Sequence, residues 1–276
     1  MSTLPVYNLP ETNEFEIFKM NRYSPESFCP PHRHSFYEIS FFTKGEGNHS
    51  IDFVEYPIVA NRVYFTTPGQ LHSWERMKIK NQYDGYIVRF NENFLNSDQL
   101  GNIKTVFNQF DAEPFIELTS PFSELQLLKM MYTEHNTQEN SFATLRPLLN
   151  ALLAYLAQKK SKSEAIKHNV NQERVIKLQN LIEKNYRFES EASFYAAQLE
   201  ITPKRMNEIL KQTIGKTVTQ LVHDRLVLEA KRELVYGDLS IKDIGYILGF
   251  EDPSYFSRFF KKYTGTEASK FKELQA

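Results

Sequence analysis

SIKDIGYILGFEDPSYFSRFFKKYTGTE, residues 240–267, decides the fold of the C-terminal part of this chain. Ser240 can cap a helix, with Asp243 three residues on in a capping-box-like spacing. Ile241, Ile244 and Leu248 fall on one face, with Ile247 beside them, and Gly245 is small where a neighbouring helix must come close. Gly249 ends the helix as a left-handed residue just past its C-terminus. Asp252 caps the next helix and Pro253 stands at its first position, where a missing N–H is harmless. Tyr255, Phe256, Phe259 and Phe260 include the packing face of that second helix. Ser254, Ser257, Arg258 and Lys261 point away from it. The pattern is helix, tight turn, helix.

The same design occurs upstream, in SFYAAQLEITPKRMNEILKQTIGKT, residues 193–217. Ala196, Ala197 and Leu199 lie on its first helix, and Ile201 takes the place of Phe250. Thr202-Pro203 is again a cap followed by a helix-starting proline. Met206, Ile209 and Leu210 pack, which leaves Lys204, Arg205, Asn207, Glu208 and Lys211 outward. Between the copies, TVTQLVHDRLVLEAKRELVYG (217–237) reads as one helix of about 19 residues, roughly 28 Å long. Successive major-groove faces of a duplex lie about 34 Å apart, so such a strut suits two reading helices on one side of DNA. Short polar side chains and Arg reach base edges, while Lys and Arg at helix ends reach phosphate. Glu208 could accept from cytosine N4, but a partner role toward Lys204 or Lys211 is the favoured reading.

Working outward, the N-terminal part changes period. FYEISFFTKG (36–45), NHSIDFVEYPI (48–58), RVYFTTPG (62–69) and YDGYIVRF (83–90) each read as one strand, and their spacing predicts a sandwich or barrel. Helical spacing follows in PFSELQLLKMMYTEHN (121–136) and FATLRPLLNALLAYLAQKK (142–160). Leu145, Leu148, Leu149, Leu152, Leu153 and Leu156 form a wide stripe with two readings: packing on the barrel, or a dimer seam centred on Leu145, Leu149, Leu152 and Leu156. KKSKSEAIKHNVNQE (159–173) is polar and glycine-free and marks a linker. The expected division is therefore residues 1–165, with a barrel at about 1–100 and helices at about 115–160, followed by residues 166–276. A helix from about 172 to 186 opens the second part.

A chain of 276 residues, 41% hydrophobic and 24% charged, has the composition of a globular protein with two ordinary domains. No apolar run approaches the roughly 20 residues a bilayer span requires, and the first residues lack a signal-peptide core, so a cytoplasmic location is expected. The single Cys29 excludes an internal disulfide. Residues 165–276 carry a net +3 and residues 1–164 a net −4, a sign that agrees with a C-terminal part meeting phosphate.

A second constellation lies in the β part: Pro31-His32-Arg33-His34, Glu38, Gly45, Pro68-Gly69 and His72. The spacing His-x-His-x-x-x-Glu with a distant His resembles the cupin metal motif. Two histidines two apart on a strand point the same way. Three imidazoles and a carboxylate suit a transition metal, with His32, His34, Glu38 and His72 as the candidate ligands. The favoured reading is a structural or effector-contacting role for His32, His34, Glu38, His72 and Trp74, with no cofactor expected. Tyr37, Tyr64, Tyr86 and Arg89 are expected to line the same pocket. His49, His135, His168 and His223 are expected to be surface or packing residues.

Residues 172–273 resemble the AraC family DNA-binding domain. The resemblance rests on Ile244 and the run from Gly249 through Lys262, then Gly265. It extends to Leu199-Glu200-Ile201-Thr202-Pro203, Gly215-Lys216-Thr217 and the strut from Arg225 to Leu234. Thr266-Glu267-Ala268 departs from the Thr-Pro the family usually places before its last helix. The resemblance implies an α+β multidomain protein: a cupin-like β-barrel with appended helices, then an all-α double helix-turn-helix domain. It implies a bacterial transcription regulator, not an enzyme, that binds double-stranded DNA. The implied partners are a small-molecule effector, a second copy of the chain and RNA polymerase. By position, Lys204, Arg205, Asn207 and Glu208 match the first reading helix, and Ser254, Ser257 and Arg258 the second. The alternatives are a cupin-type metal-dependent enzyme with an accessory helical domain, and a DNA-binding regulator whose barrel serves only dimerisation.

Overall fold

The computed structural model of the protein describes residues 6–10, 14–21, 29–74, 84–95, 100–108, 113–137, 142–163 and 170–275. Its chain contacts divide it into two compact units, one of residues 5–166 and one containing residues 167–276.

Ten strands are described in the first unit: β1 (Val6–Tyr7), β2 (Phe15–Asn21), β3 (Cys29–His34), β4 (Tyr37–Lys44), β5 (Asn48–Ile51), β6 (Val54–Pro57), β7 (Arg62–Thr66), β8 (His72–Trp74), β9 (Asp84–Phe90) and β10 (Phe115–Glu117). They form two five-stranded sheets, ordered β1-β3-β8-β5-β6 and β10-β7-β4-β9-β2. Helices α1 (Leu100–Val106), α2 (Phe122–His135) and α3 (Phe142–Ser163) follow, with β10 between α1 and α2. The β part therefore reaches Glu117, past the expected limit near residue 100.

The second sheet is buried on both faces, which explains why β7 is buried along its whole length and β4 and β9 along most of theirs. Alternation sorts its side chains. Ile39, Phe41, Val63, Phe65, Tyr86, Val88 and Phe90 form one core with α1, α2 and α3. Phe42, Tyr64 and Ile87 face the other way and pack with Ile51 and Trp74 of the first sheet. The interior between the sheets is where the polar cluster described below sits.

Two expectations are corrected here. Residues 48–58 do not form one strand. β5 and β6 pair as a hairpin, turned at Asp52 and Phe53 with φ of 49° and 70°. Leu145, Leu149, Leu152 and Leu156 do not form a dimer seam either. All four are at most 1% exposed, inside the core of their own unit. α1, α2 and the sheet residues of the same core already cover that stripe, so a second copy has nothing apolar to gain from it.

The second unit is helical: α4 (Val170–Asn185), α5 (Ala192–Gln198), α6 (Pro203–Ile214), α7 (Val218–Tyr236), α8 (Ile241–Ile247), α9 (Pro253–Thr264) and α10 (Ala268–Gln275). The repeat is visible bond by bond. Ile201 N–H donates to Ala196 O and Phe250 N–H to Gly245 O, closing the same turn after α5 and α8. Glu200 and Gly249 occupy equivalent left-handed positions, φ 55° and 86°. Thr202 Oγ1 accepts from Arg205 N–H at the start of α6, and Asp252 Oδ1 from Ser254 N–H at the start of α9. Both helices run 12 residues and end on a left-handed glycine, Gly215 and Gly265. The turn of the second copy is one residue longer.

α7 spans 19 residues and opens with a capping box between Thr217 and Gln220. Its buried face is partly ionic. Glu229 Oε2 accepts from Arg225 Nη1 at 3.0 Å and Arg232 Nη1 at 3.1 Å, and Arg225 Nε donates to Glu183 of α4 at 2.8 Å. Arg225 also lies over the Tyr186 ring at 4.3 Å. Removing one member of such a buried group leaves an uncompensated charge, at a cost of about 3–5 kcal/mol. The network therefore fixes the strut to α4 in one register.

Candidate nucleic-acid interface and buried histidine cluster

α6 and α9 bury Met206, Ile209 and Leu210, and Phe256, Phe259 and Phe260, respectively. Those side chains pin each helix to its unit and leave the opposite face in solvent. Lys204, Arg205, Glu208 and Lys211 are exposed on α6, and Ser254, Ser257, Arg258 and Lys261 on α9. Several of these groups are held in loose internal contacts: Arg205 with Glu208 at 3.3 Å, Arg258 with Asp252 at 3.7 Å, and Lys261 with Glu267 at 2.8 Å. Exposed pairs of this kind contribute about 0–1 kcal/mol, so a phosphate or base edge can displace them. The partner of Glu208 is Arg205 rather than Lys204 or Lys211.

Asn207 differs from its neighbours. It is half-buried, and its Oδ1 accepts from Val218 N–H at 3.0 Å, satisfying a free donor at the start of α7. Its carbonyl is thus engaged within the frame of the helical unit. Tyr255 is the reverse case. Sequence alternation grouped it with packing aromatics, yet it is 57% exposed, with the Arg258 guanidinium 5.9 Å from its ring centroid.

Between the sheets of the first unit, β3 and β8 place His32 opposite His72, and β5 places His49 opposite Trp74. From the facing sheet, β4 contributes Glu38 and Ser40, β7 contributes Thr66 and β9 contributes Arg89. His32, His34, Glu38, His49, His72 and Trp74 are all at most 3% exposed. His49 Nε2 lies 3.2 Å from His72 Nδ1, and His72 Nε2 lies 2.9 Å from His32 Nε2. One proton per ring satisfies this relay with every donor pointing the same way. Burial lowers His49 to about 3, opposed by Glu38, and lowers His72 well below its ordinary value, so both rings are neutral. His49 also stacks on Trp74 with ring centroids 3.6 Å apart.

Glu38 Oε2 accepts from Arg89 Nε at 2.8 Å and Oε1 from Ser40 Oγ at 3.1 Å. Burial alone would raise its carboxyl; Arg89, with the imidazoles behind it, outweighs burial and holds it at about 2. His34 stacks on Phe36 at 4.2 Å, and burial lowers it to about 4. Its only polar neighbour on the ring is the Phe36 backbone, which opposes the effect of burial but is not a well-formed hydrogen bond. A buried unpaired polar group costs about 1–3 kcal/mol, which marks His34 as a group awaiting a partner.

The ligand atoms of His34, Glu38 and His72 all lie within 4.8 Å of one another. His32, the fourth candidate ligand, is instead bonded to His72. These residues fit a metal poorly. Both nitrogens of His72 are engaged by imidazole neighbours, and the charge of Glu38 is neutralised by Arg89. The lone pairs left over belong to His34 and to the Glu38 carboxylate, which accepts one bond at each oxygen.

The expected pocket membership is also revised. Tyr64 and Arg89 face the cluster. Tyr37 and Tyr86 lie on the opposite face of their sheet, against Phe107 and Tyr132. His49, set aside as a surface or packing residue, belongs to the cluster. His135 packs edge-on to Phe15, and His223 hydrogen-bonds Tyr263. His168 lies outside the described residues.

Two capped, solvent-facing helices in one unit and a buried polar interior in the other define a DNA-binding transcription regulator with a ligand-binding domain. Residues 18–165 match the family described as an AraC-like ligand binding domain, and residues 195–273 match a helix-turn-helix domain. The chain belongs to the AraC family. The transcriptional activator RhaS of Escherichia coli O81 (strain ED1a) is 23% identical over 246 residues, covering 86% of this chain and 85% of its own. Among solved structures, ToxT from Vibrio cholerae O395, bound to a naphthalenyl butenoic acid, is 14% identical with a TM-score of 0.46, covering 96% of this chain and 100% of its own. The C-terminal domain of the response regulator yesN from Fusobacterium nucleatum is 25% identical, covers 37% of this chain and 98% of its own, and has a TM-score of 0.34. The enzyme alternative falls, because the family is one of transcription regulators.

Proposed function

We propose that residues 1–165 sense a small-molecule effector and that residues 166–276 read DNA through α6 and α9. On this reading Lys204, Arg205, Glu208, Ser254, Ser257 and Arg258 meet bases, with the Asn207 amide in support. Lys211 and Lys261 meet phosphate. The effector site is the cluster of His32, His34, Glu38, His72 and Trp74, to which His49 and Arg89 are added. The observation that carries the sensor reading is His34, buried beside a carboxylate with no well-formed hydrogen bond to either ring nitrogen. A neutral imidazole there offers one donor and one acceptor to an incoming polar group.

The test is a thermal-shift screen of the purified chain against a metabolite library, repeated on His34→Phe. Ligands that stabilise the parent and lose their effect on the variant support the site. Ligands that bind the variant equally well remove it. A screen with no hits and DNA affinity constant across the library favours the platform reading.

The relationship to RhaS, a transcriptional activator, supports RNA polymerase as a second protein partner. Run-off transcription with purified polymerase tests it: added protein should raise the transcript from a bound promoter, and an unchanged yield would count against activation. A cytoplasmic location follows from the DNA-binding role; no described helix is long and apolar enough to cross a membrane. A homodimer is retained in this reading without the leucine seam. Phe122 and Met130 of α2 and Tyr155 of α3 are the large apolar side chains these helices leave exposed. Sedimentation of Met130→Glu should show monomer if they form the contact, and an unchanged dimer mass would exclude them.

A further inference from the structure

The helical unit contains a cleft of about 440 Å³ that no role so far assigned uses. It runs between the α4–α5 link, α7 and the turn of the second helix-turn-helix. Its floor is apolar and aromatic: Leu226, Leu248, Phe250 and Phe259. Phe188, 84% exposed, and Tyr255, 57% exposed, also line it. A Phe left in water beside a concave aromatic wall is an unfilled half of a contact.

The rim is acidic. Glu189, Glu251 and Asp252 stand in the lining with one cation, Arg187, and Asp252 is already engaged, by Arg258 at 3.7 Å and as the cap of α9. The Arg187 guanidinium is engaged as well, with Nε donating to Tyr186 Oη at 2.9 Å and Nη2 to Glu229 at 3.5 Å. His223, also in the lining, is lowered by burial and by Lys262, so it adds no positive charge at neutral pH. With Asp252 offset by Arg258, Glu189 and Glu251 beside an engaged Arg187 leave the lining acidic, which disfavours a phosphate backbone. Aromatic faces and carboxylates together favour one ligand chemistry, a cation carried on a flat apolar body.

We propose that this cleft binds a small organic cation with an aromatic or similarly flat body. Its volume lies in the range of small-molecule sites, about 300–1,000 Å³. Asp252 caps α9 and Tyr255 stands in its first turn, so an occupant touches the second reading helix directly. The helical unit thereby has a ligand input of its own, separate from the histidine cluster.

Calorimetric titration of the full chain with tryptamine and with indole-3-acetate tests the charge requirement on a shared ring. Tryptamine should bind at least about tenfold more tightly, since a cation–π contact and a carboxylate partner both act on it alone. Glu189→Gln with Glu251→Gln should weaken tryptamine by about tenfold or more, while His34→Phe leaves it unchanged. Glu251 is exposed and Glu189 half-buried, and an unaltered melting temperature will show that the double variant is folded. Equal binding of the two indoles, an unaffected double variant, or loss of binding in His34→Phe would each overturn the proposal.

Discussion

The two helix-turn-helix copies share a frame and differ in what they present. Both use a left-handed turn residue, a capped Pro-started helix of 12 residues and a glycine stop. On the outward face, α6 carries Lys204, Arg205, Glu208 and Lys211, whereas α9 carries Ser254, Tyr255, Ser257, Arg258 and Lys261. Position by position, Arg205 corresponds to Tyr255 and Glu208 to Arg258. The second copy also packs more tightly at its turn. A Cβ on Gly249 would stand 1.9 Å from the Arg187 carbonyl oxygen, while Glu200 at the equivalent point carries a full side chain. Packing demands are thus concentrated at the turn of the second copy, and the first uses Asn207, an outward position by sequence, to join α6 to α7.

The largest expected effect follows from the turn. Gly249→Ala should lower stability by about 3–5 kcal/mol in a denaturant titration, from strain at positive φ plus a backbone clash. Glu200→Ala should change it by less than about 0.5 kcal/mol, because that site already accepts a Cβ. Equal effects would erase the asymmetry. Next come the reading residues. Arg258→Ala should cost about 1–3 kcal/mol of DNA affinity and relax preference in one half of the site, and Arg205→Ala should do the same in the other half. Competition with random DNA checks this, and a uniform loss on all sequences would assign these residues to phosphate. Asn207→Ala should cost about 0.5–2 kcal/mol of stability through the lost cap, while the equivalent Ser257→Ala costs less than about 0.5 kcal/mol in the same assay. The smallest effect is expected from Lys261→Ala, which should weaken all sequences alike and lower the salt slope by about 1.

The helical unit was legible because its signals are local. Thr202, Asp252, Pro203, Pro253, Gly215 and Gly265 each specify a helix end within a few residues. The β unit was harder. Asp52-Phe53 is not a usual turn dipeptide, so the β5–β6 hairpin read as one alternating strand. The His-x-His spacing on β3 and Glu38 on β4 could be seen in advance. The inclusion of His49, by contrast, depends on β5 pairing with β8, a non-local contact that spacing does not encode. The leucine stripe was read correctly as apolar. Of its two readings the packing one holds and the seam does not; spacing left both open, because periodicity gives the buried face of a helix and not what covers it. The Arg225–Glu229–Arg232 network was equally hidden: a charged helix face usually means solvent, and this one is buried by the helices that pack around α7, with Glu183 of α4 pairing Arg225.

Binding-site selection from a random DNA library tests the central claim most directly, that two quasi-equivalent helices read one duplex together. The enriched sites should contain two specified blocks centred about 10–10.5 base pairs apart. Repeating the selection with Arg205→Ala should blur one block and with Arg258→Ala the other. A single block, or loss of both from either substitution, would contradict the account.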